Sequence, residues 1–158
     1  MYVNLKHDLG KFNMSMNLFF LACTQNKLDE MKENHELIDE LVESESYAFA
    51  TDVETAWDVL RSILGGVGVE VGESVDDALF NGCSLISSNE VKVQAEELSK
   101  WSKEKVLERL QSISEDSDLY HLEVFQDEEE SLLEQFEKMV AFYKEAAEKR
   151  LGAISYAA

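Results

Sequence analysis

Three histidines, two cysteines and 33 acidic residues are the groups from which this chain could build chemistry. His7, His35 and His121 lie far apart in sequence, and none has a second ligand at helical spacing, so a zinc site would need long-range convergence. His35 reads as a core-edge residue and His121, set between acids in a non-helical segment, as a structural histidine. Cys23 and Cys83 sit in apolar, strand-like runs with neither a C-x-x-C partner nor a flanking lysine or arginine, which predicts small buried hydrophobes rather than reactive thiolates. Asp116, Asp118 and Glu123 resemble a calcium loop only superficially, because the central glycine and the terminal bidentate glutamate are missing at the required offsets. Gly65-Gly66-Val67-Gly68 lacks the preceding strand and following helix of a phosphate cradle, and neither G-x-S-x-G nor H-E-x-x-H occurs. With so many carboxylates, no single pair points to glycoside hydrolysis. The expectation is a chain that is not an enzyme, with no catalytic residue, metal or cofactor assigned.

Distribution says more than any motif. The formal net charge is −19, with fourteen acids and one base, Arg61, between Glu33 and Val91. From Leu110 to Glu137 there is no base, and Glu115 to Glu130 holds eight acids. Such a field repels nucleic acid and anionic membrane and favours a basic protein partner, whose encounter it speeds until salt screens it over about 8 Å. The plainer reading of each acidic run is a solvated helix face that keeps the protein soluble. The sharper one is a docking surface, with Asp116, Asp118, Glu123, Asp127 and Glu128 as first candidates and Asp39, Glu40 and Glu43 as second. On that reading the chain is a non-enzymatic binding protein, an immunity or inhibitor protein that covers the active surface of a basic toxin, with a nuclease as the leading case. The alternative is a small-ligand protein or enzyme with a pocket near Trp57, Tyr120 and His121; a structural homo-oligomer is a third class.

The elements that must carry these residues follow from periodicity. Leu18 to Cys23 is a short apolar run suited to a strand buried on both faces. Leu28, Met31, His35, Ile38 and Val42 make one helical stripe whose remaining positions are largely acidic. Asp52 is placed to cap a helix bearing Ala56, Trp57, Leu60, Ile63 and Leu64, which Gly65-Gly66 ends. Gly65 to Gly82 reads as a loop or weak hairpin arm with Val67, Val69 and Val71 alternating. Cys83 to Ile86 predicts a second strand, and Ser87 with Glu90 a capping box opening a helix over Val91, Ala95 and Leu98. Ser102 starts another helix, through Val106, Leu110 and Ile113. A long last helix would open on an Asp127/Glu130 capping box, bury Leu132, Phe136, Val140, Tyr143 and Ala147, and stop at Gly152 before a strand over Ala153 to Tyr156. The predicted fold is α+β: a small sheet, with strands near both termini and in mid-chain, packed by about five helices.

At 158 residues without proline, repeats or a low-complexity tract, the chain reads as one domain over residues 14–158 preceded by an N-terminal extension over 1–13. No apolar run approaches the ~20 residues of a membrane span, and no secretory pattern opens the chain, which predicts a cytoplasmic location.

The segments Met16-Asn17-Leu18-Phe19-Phe20-Leu21, Trp57 running into Leu64-Gly65-Gly66, Leu85-Ile86-Ser87-Ser88-Asn89-Glu90-Val91, Tyr120, and Ala141-Phe142-Tyr143-Lys144-Glu145-Ala146-Ala147-Glu148-Lys149 before a final strand resemble, in this order, the bacterial YfbM-like family of unknown function. The resemblance runs from about residue 14 to the end. It implies an α+β fold, a bacterial or phage origin and an association with candidate immunity proteins of toxin systems, and it carries no active-site residues to transfer. The chain departs from the pattern in residues 1–13 and in having His121 where a proline would follow the tyrosine.

Overall fold

The computed structural model describes residues 16–158; the expected extension over residues 1–13 lies outside them. Five strands, β1 (Leu18–Cys23), β2 (Phe49–Asp52), β3 (Glu73–Val75), β4 (Cys83–Ile86) and β5 (Gly152–Ala157), form one antiparallel sheet in the order β2-β1-β5-β4-β3. Seven α-helices occur among the described residues: α1 (Gln25–Glu33), α2 (Glu36–Glu43), α3 (Trp57–Leu64), α4 (Ser88–Leu98), α5 (Lys103–Ser112), α6 (Leu122–Asp127) and α7 (Glu129–Glu148). The α+β class, the mid-chain and terminal strands and the long last helix are as predicted. The two extra helices arise because the first predicted helix is broken at Asn34 and because α6 forms a separate turn ahead of α7.

Successive strand residues face opposite ways, so a sheet with helices on both sides must be apolar at every position. β1 meets that demand. Leu18, Phe20 and Ala22 join Ile86 and Ala153 in the larger core beneath α3, α4, α5 and α7, which contributes Trp57, Leu60, Val91, Leu98, Val106, Met139 and Tyr143. Leu21 and Cys23 face the other way, into a smaller core with Leu85, Ile154 and the α1–α2 pair through Leu28, Met31, Ile38 and Leu41. Register centres both cores on β5: Leu21 and Leu85 each stand opposite Ile154.

Several local expectations hold for the reasons given. Ser87 Oγ accepts from the Glu90 amide while Glu90 Oε1 accepts from the Ser87 amide, completing the capping box. Ser102 caps α5, and Gly65 ends α3 with a left-handed backbone. Others need correction. Asp127 is the last residue of α6, so its backbone is helical and it cannot serve as an extended cap residue; Glu128 precedes α7 without a side-chain cap, and the Asp127/Glu130 box does not form. Asp52 ends β2 and accepts from the Glu54 amide; Val53 precedes the 3-10 turn Glu54–Ala56, and Asp52 does not cap α3. The buried stripe of α7 runs through Met139, Phe142 and Ala146, leaving Val140 and Ala147 half-buried. Residues 65–69 form a turn, and the hairpin arm begins only at Glu73, where β3 pairs with β4.

Gly152 does not terminate α7. The Leu151 amide reaches back to Ala146 O at 2.8 Å and the Arg150 amide to Ala147 O at 3.1 Å, the Schellman pattern, with Arg150 taking the left-handed position at φ 58°. Gly152 instead opens β5, where a Cβ would collide with Leu28 Cδ1 and stand 2.7 Å from Ile86 O. Its small size lets α1 lie against the centre of the sheet.

Candidate functional site

The break between α1 and α2 opens a concavity between the two helices. The Asn34 amide donates to Glu30 O and closes α1, while Asn34 Oδ1 accepts from the Glu36 amide and opens α2. The chain reverses there. α1 and α2 enclose a cleft of about 540 Å³ lined by Lys27, Glu30 and Met31 from the first helix, Leu37, Glu40, Leu41, Glu43 and Ser44 from the second helix and its cap, and Ser46 beyond. Met31 and Leu41 are buried and Leu37 half-buried, giving an apolar floor; Glu30, Glu40 and Glu43 are exposed along its rim. The cation at the site, Lys27, donates to Ser46 O at 3.0 Å. The arrangement suits an occupant that is apolar underneath and positively charged at its edges.

The opposite side of α2 is tied down. Asp39 Oδ1 accepts from the Leu79 amide at 2.9 Å, and His35 Nδ1 lies 2.6 Å from Asp77 Oδ1. These contacts hold a loop in which Leu79 and Phe80 both have left-handed backbones, at φ 51° and 61°, and Phe80 is fully exposed. Asp39, one of the sequence candidates, is therefore a half-buried structural acceptor, whereas Glu40 and Glu43 face the cleft.

The five first-ranked acids are all exposed but do not converge on that cleft. Asp116 and Asp118 lie in the loop between α5 and α6, Glu123 and Asp127 are four residues apart on α6, and Glu128 links α6 to α7. On α5, Lys103 Nζ lies 2.6 Å from Glu137 Oε1 on α7, and Lys105 and Arg109 stand over the Trp101 ring.

Trp57, expected near a pocket with Tyr120 and His121, is fully buried; its Nε1 donates to Met16 O and its ring packs on Tyr120. Only Tyr120 and His121 reach the surface there. His121 is left-handed at φ 60°, stacks on Tyr120 at 4.0 Å and shares a 3.0 Å hydrogen bond with Thr55 Oγ1; burial lowers its pKa, keeping the ring neutral. Close by, Gln135 Nε2 donates to Glu54 Oε2 while its buried Oε1 has no hydrogen-bond partner among the described residues. Asp58 is a buried carboxylate that sequence reading missed. It accepts from Arg61 at 2.7 and 3.0 Å and from the Tyr120 amide at 2.9 Å, linking α3 to the segment before α6. Its apolar neighbours in the helix were a signal, since a carboxylate at such a position requires a partner such as the arginine one turn on.

Cys23 and Cys83 are buried free thiols on the smaller-core face, as predicted. Two strand spacings, about 9.5 Å, separate β1 from β4, beyond the ~7 Å that a disulfide tolerates between Cα atoms. Burial pushes their pKa values up to about 11 and about 12, respectively. Among the described residues, no three His, Cys, Asp or Glu side chains are grouped to hold a metal ion, and no helix is long and apolar enough to cross a membrane.

Comparison with known proteins places this architecture. A crystal structure of YfbM from Escherichia coli, described as a protein of unknown function, superposes with a TM-score of 0.63 at 13% identity, covering 90% of this chain and 98% of that one. At that identity the likeness shows a shared fold. A search of curated proteins returns no match. The family model described as a domain of unknown function, DUF1877, matches residues 14–156. With nearly the whole length matched and the YfbM fold reproduced, the chain belongs to the DUF1877, YfbM-like family of unknown function.

Proposed function

We propose that this chain is a non-enzymatic binding protein that receives a cationic protein segment in the α1–α2 cleft, and that it acts as an inhibitor of the immunity type, blocking a basic toxin such as a nuclease. One observation carries the reading: three exposed carboxylates, Glu30, Glu40 and Glu43, stand over an apolar floor of Met31, Leu37 and Leu41. A solvated helix face accounts for the acids, but it does not account for the cleft they border. The net charge of −19 supplies long-range attraction, and the floor supplies apolar area that desolvates the contact once formed. This moves the weight from Asp116, Asp118, Glu123, Asp127 and Glu128 to Glu40 and Glu43, with Glu30 added.

The test is capture from the producing cell on immobilised wild-type protein and on the Glu40→Lys/Glu43→Lys variant, followed by assay of whatever separates them. The expected result is a basic protein retained by wild type, released by salt, absent from the variant, and inhibited by stoichiometric wild-type protein. Retention of the same proteins by both surfaces, or a captured protein whose activity is untouched, contradicts the proposal.

A further inference from the structure

We infer that the segment received by the α1–α2 cleft is a basic amphipathic helix of about two turns. The inference rests on the cationic-partner reading and adds the conformation of the partner. Length is the first argument. α1 has nine residues and α2 eight, so at 1.5 Å per residue the walls are about 12–14 Å long, the span of two helical turns.

Backbone chemistry is the second argument. The cleft is walled by helices, and neither edge strand, β2 or β3, contributes a lining residue. An extended peptide would lay its N–H and C=O groups over Met31, Leu37 and Leu41 with no strand ladder to satisfy them. A helix satisfies its own backbone. A polyproline ligand is also poorly matched, because such ligands dock between aromatic rings and no lining residue is aromatic.

Charge is the third. Rim carboxylates come from both walls, Glu30 from α1 and Glu40 and Glu43 from α2, so an occupant with apolar residues at i, i+4 and i+7 and Lys or Arg on both flanks meets floor and rim together. A second copy of this chain brings its own excess of carboxylates against the same rim, and repulsion opposes that pairing.

The experiment uses the full chain and two fluorescent probes of identical Leu/Lys composition, one stapled as a helix with leucines at i, i+4 and i+7, the other scrambled. Binding is read by anisotropy at near-physiological salt and by methyl NMR of the methionines, with Met31 in the cleft floor and Met139 in the opposite core as internal control. The striped helix is expected to bind at least about tenfold more tightly than the scrambled probe and to shift Met31 while leaving Met139 in place. Equal affinity of the two probes, still weakened by salt, overturns the helical occupant but leaves the cationic reading standing. No binding by either probe or by poly-L-lysine even at low salt removes the cationic reading itself. Concentration-dependent dimerisation that shifts Met31 without any probe overturns the inference in favour of a second copy.

Discussion

Asp58 shows how one residue organises this fold. With only 3% of its surface exposed, it neutralises Arg61 and accepts the Tyr120 amide, so removing it leaves a guanidinium and a backbone donor without their shared acceptor. Asp58→Ala should cost about 3 kcal/mol in urea unfolding; a loss within 0.5 kcal/mol, the ordinary range for surface changes, would show the network to be incidental. Arg150 is the opposite case, a residue strained by its position. An L side chain at φ 58° costs about 1 kcal/mol relative to glycine, so Arg150→Gly should stabilise by about that amount and raise Tm. His121 gives the pH dependence. Its pKa is lowered by burial, so the unfolded chain takes up the proton first, and its contribution to stability is present above about pH 6.5 and lost as pH falls toward the folded value. His121→Asn, which tolerates the left-handed backbone, should remove that component. The Tm difference between wild type and variant should therefore shrink as pH is lowered from 7 to 5.

At the scale of elements, legibility tracked how local the deciding physics was. The strand at Leu18–Cys23, the Ser87 box and the Gly65 stop depend on a few adjacent residues, and each could be read directly. The end of α7 depends on contacts made across the fold. Gly152 looked like a stop signal, but its lack of a side chain serves the approach of Leu28 from α1 to the sheet, while Arg150 accepts the left-handed turn. Gly152→Ala should accordingly destabilise by about 2–3 kcal/mol in thermal or denaturant unfolding, with the α1–β5 contact opening; neutrality would mean that α1 is free to shift. The α1–α2 break was the most consequential miss. Leu28, Met31 and Ile38 keep a helical period across it, and only Asn34, a poor interior residue that bonds readily to nearby backbone, marked the place. Since the cleft exists only because the chain reverses at Asn34, a continuous helix gave no reason to link Glu30 with Glu40 and Glu43.

At the scale of the whole molecule, the charge that dominated the sequence is distributed unequally in function. Acids of α6 and its flanking segments line none of the described cleft, whereas those of α2 border an apolar concavity. Net charge alone would make the two regions equivalent. Geometry makes them different, because the rim carboxylates of α2 act beside an apolar contact that an occupant of the cleft completes, whereas the acids near α6 act through the long-range field alone. The most direct test compares two variants that change the net charge by the same amount, Glu40→Lys/Glu43→Lys and Glu123→Lys/Asp127→Lys, in their affinity for the striped Leu/Lys helix. The account predicts a loss of about tenfold or more for the first and a change of less than about threefold for the second; equal losses in both would show that only total charge matters and would contradict a site between α1 and α2.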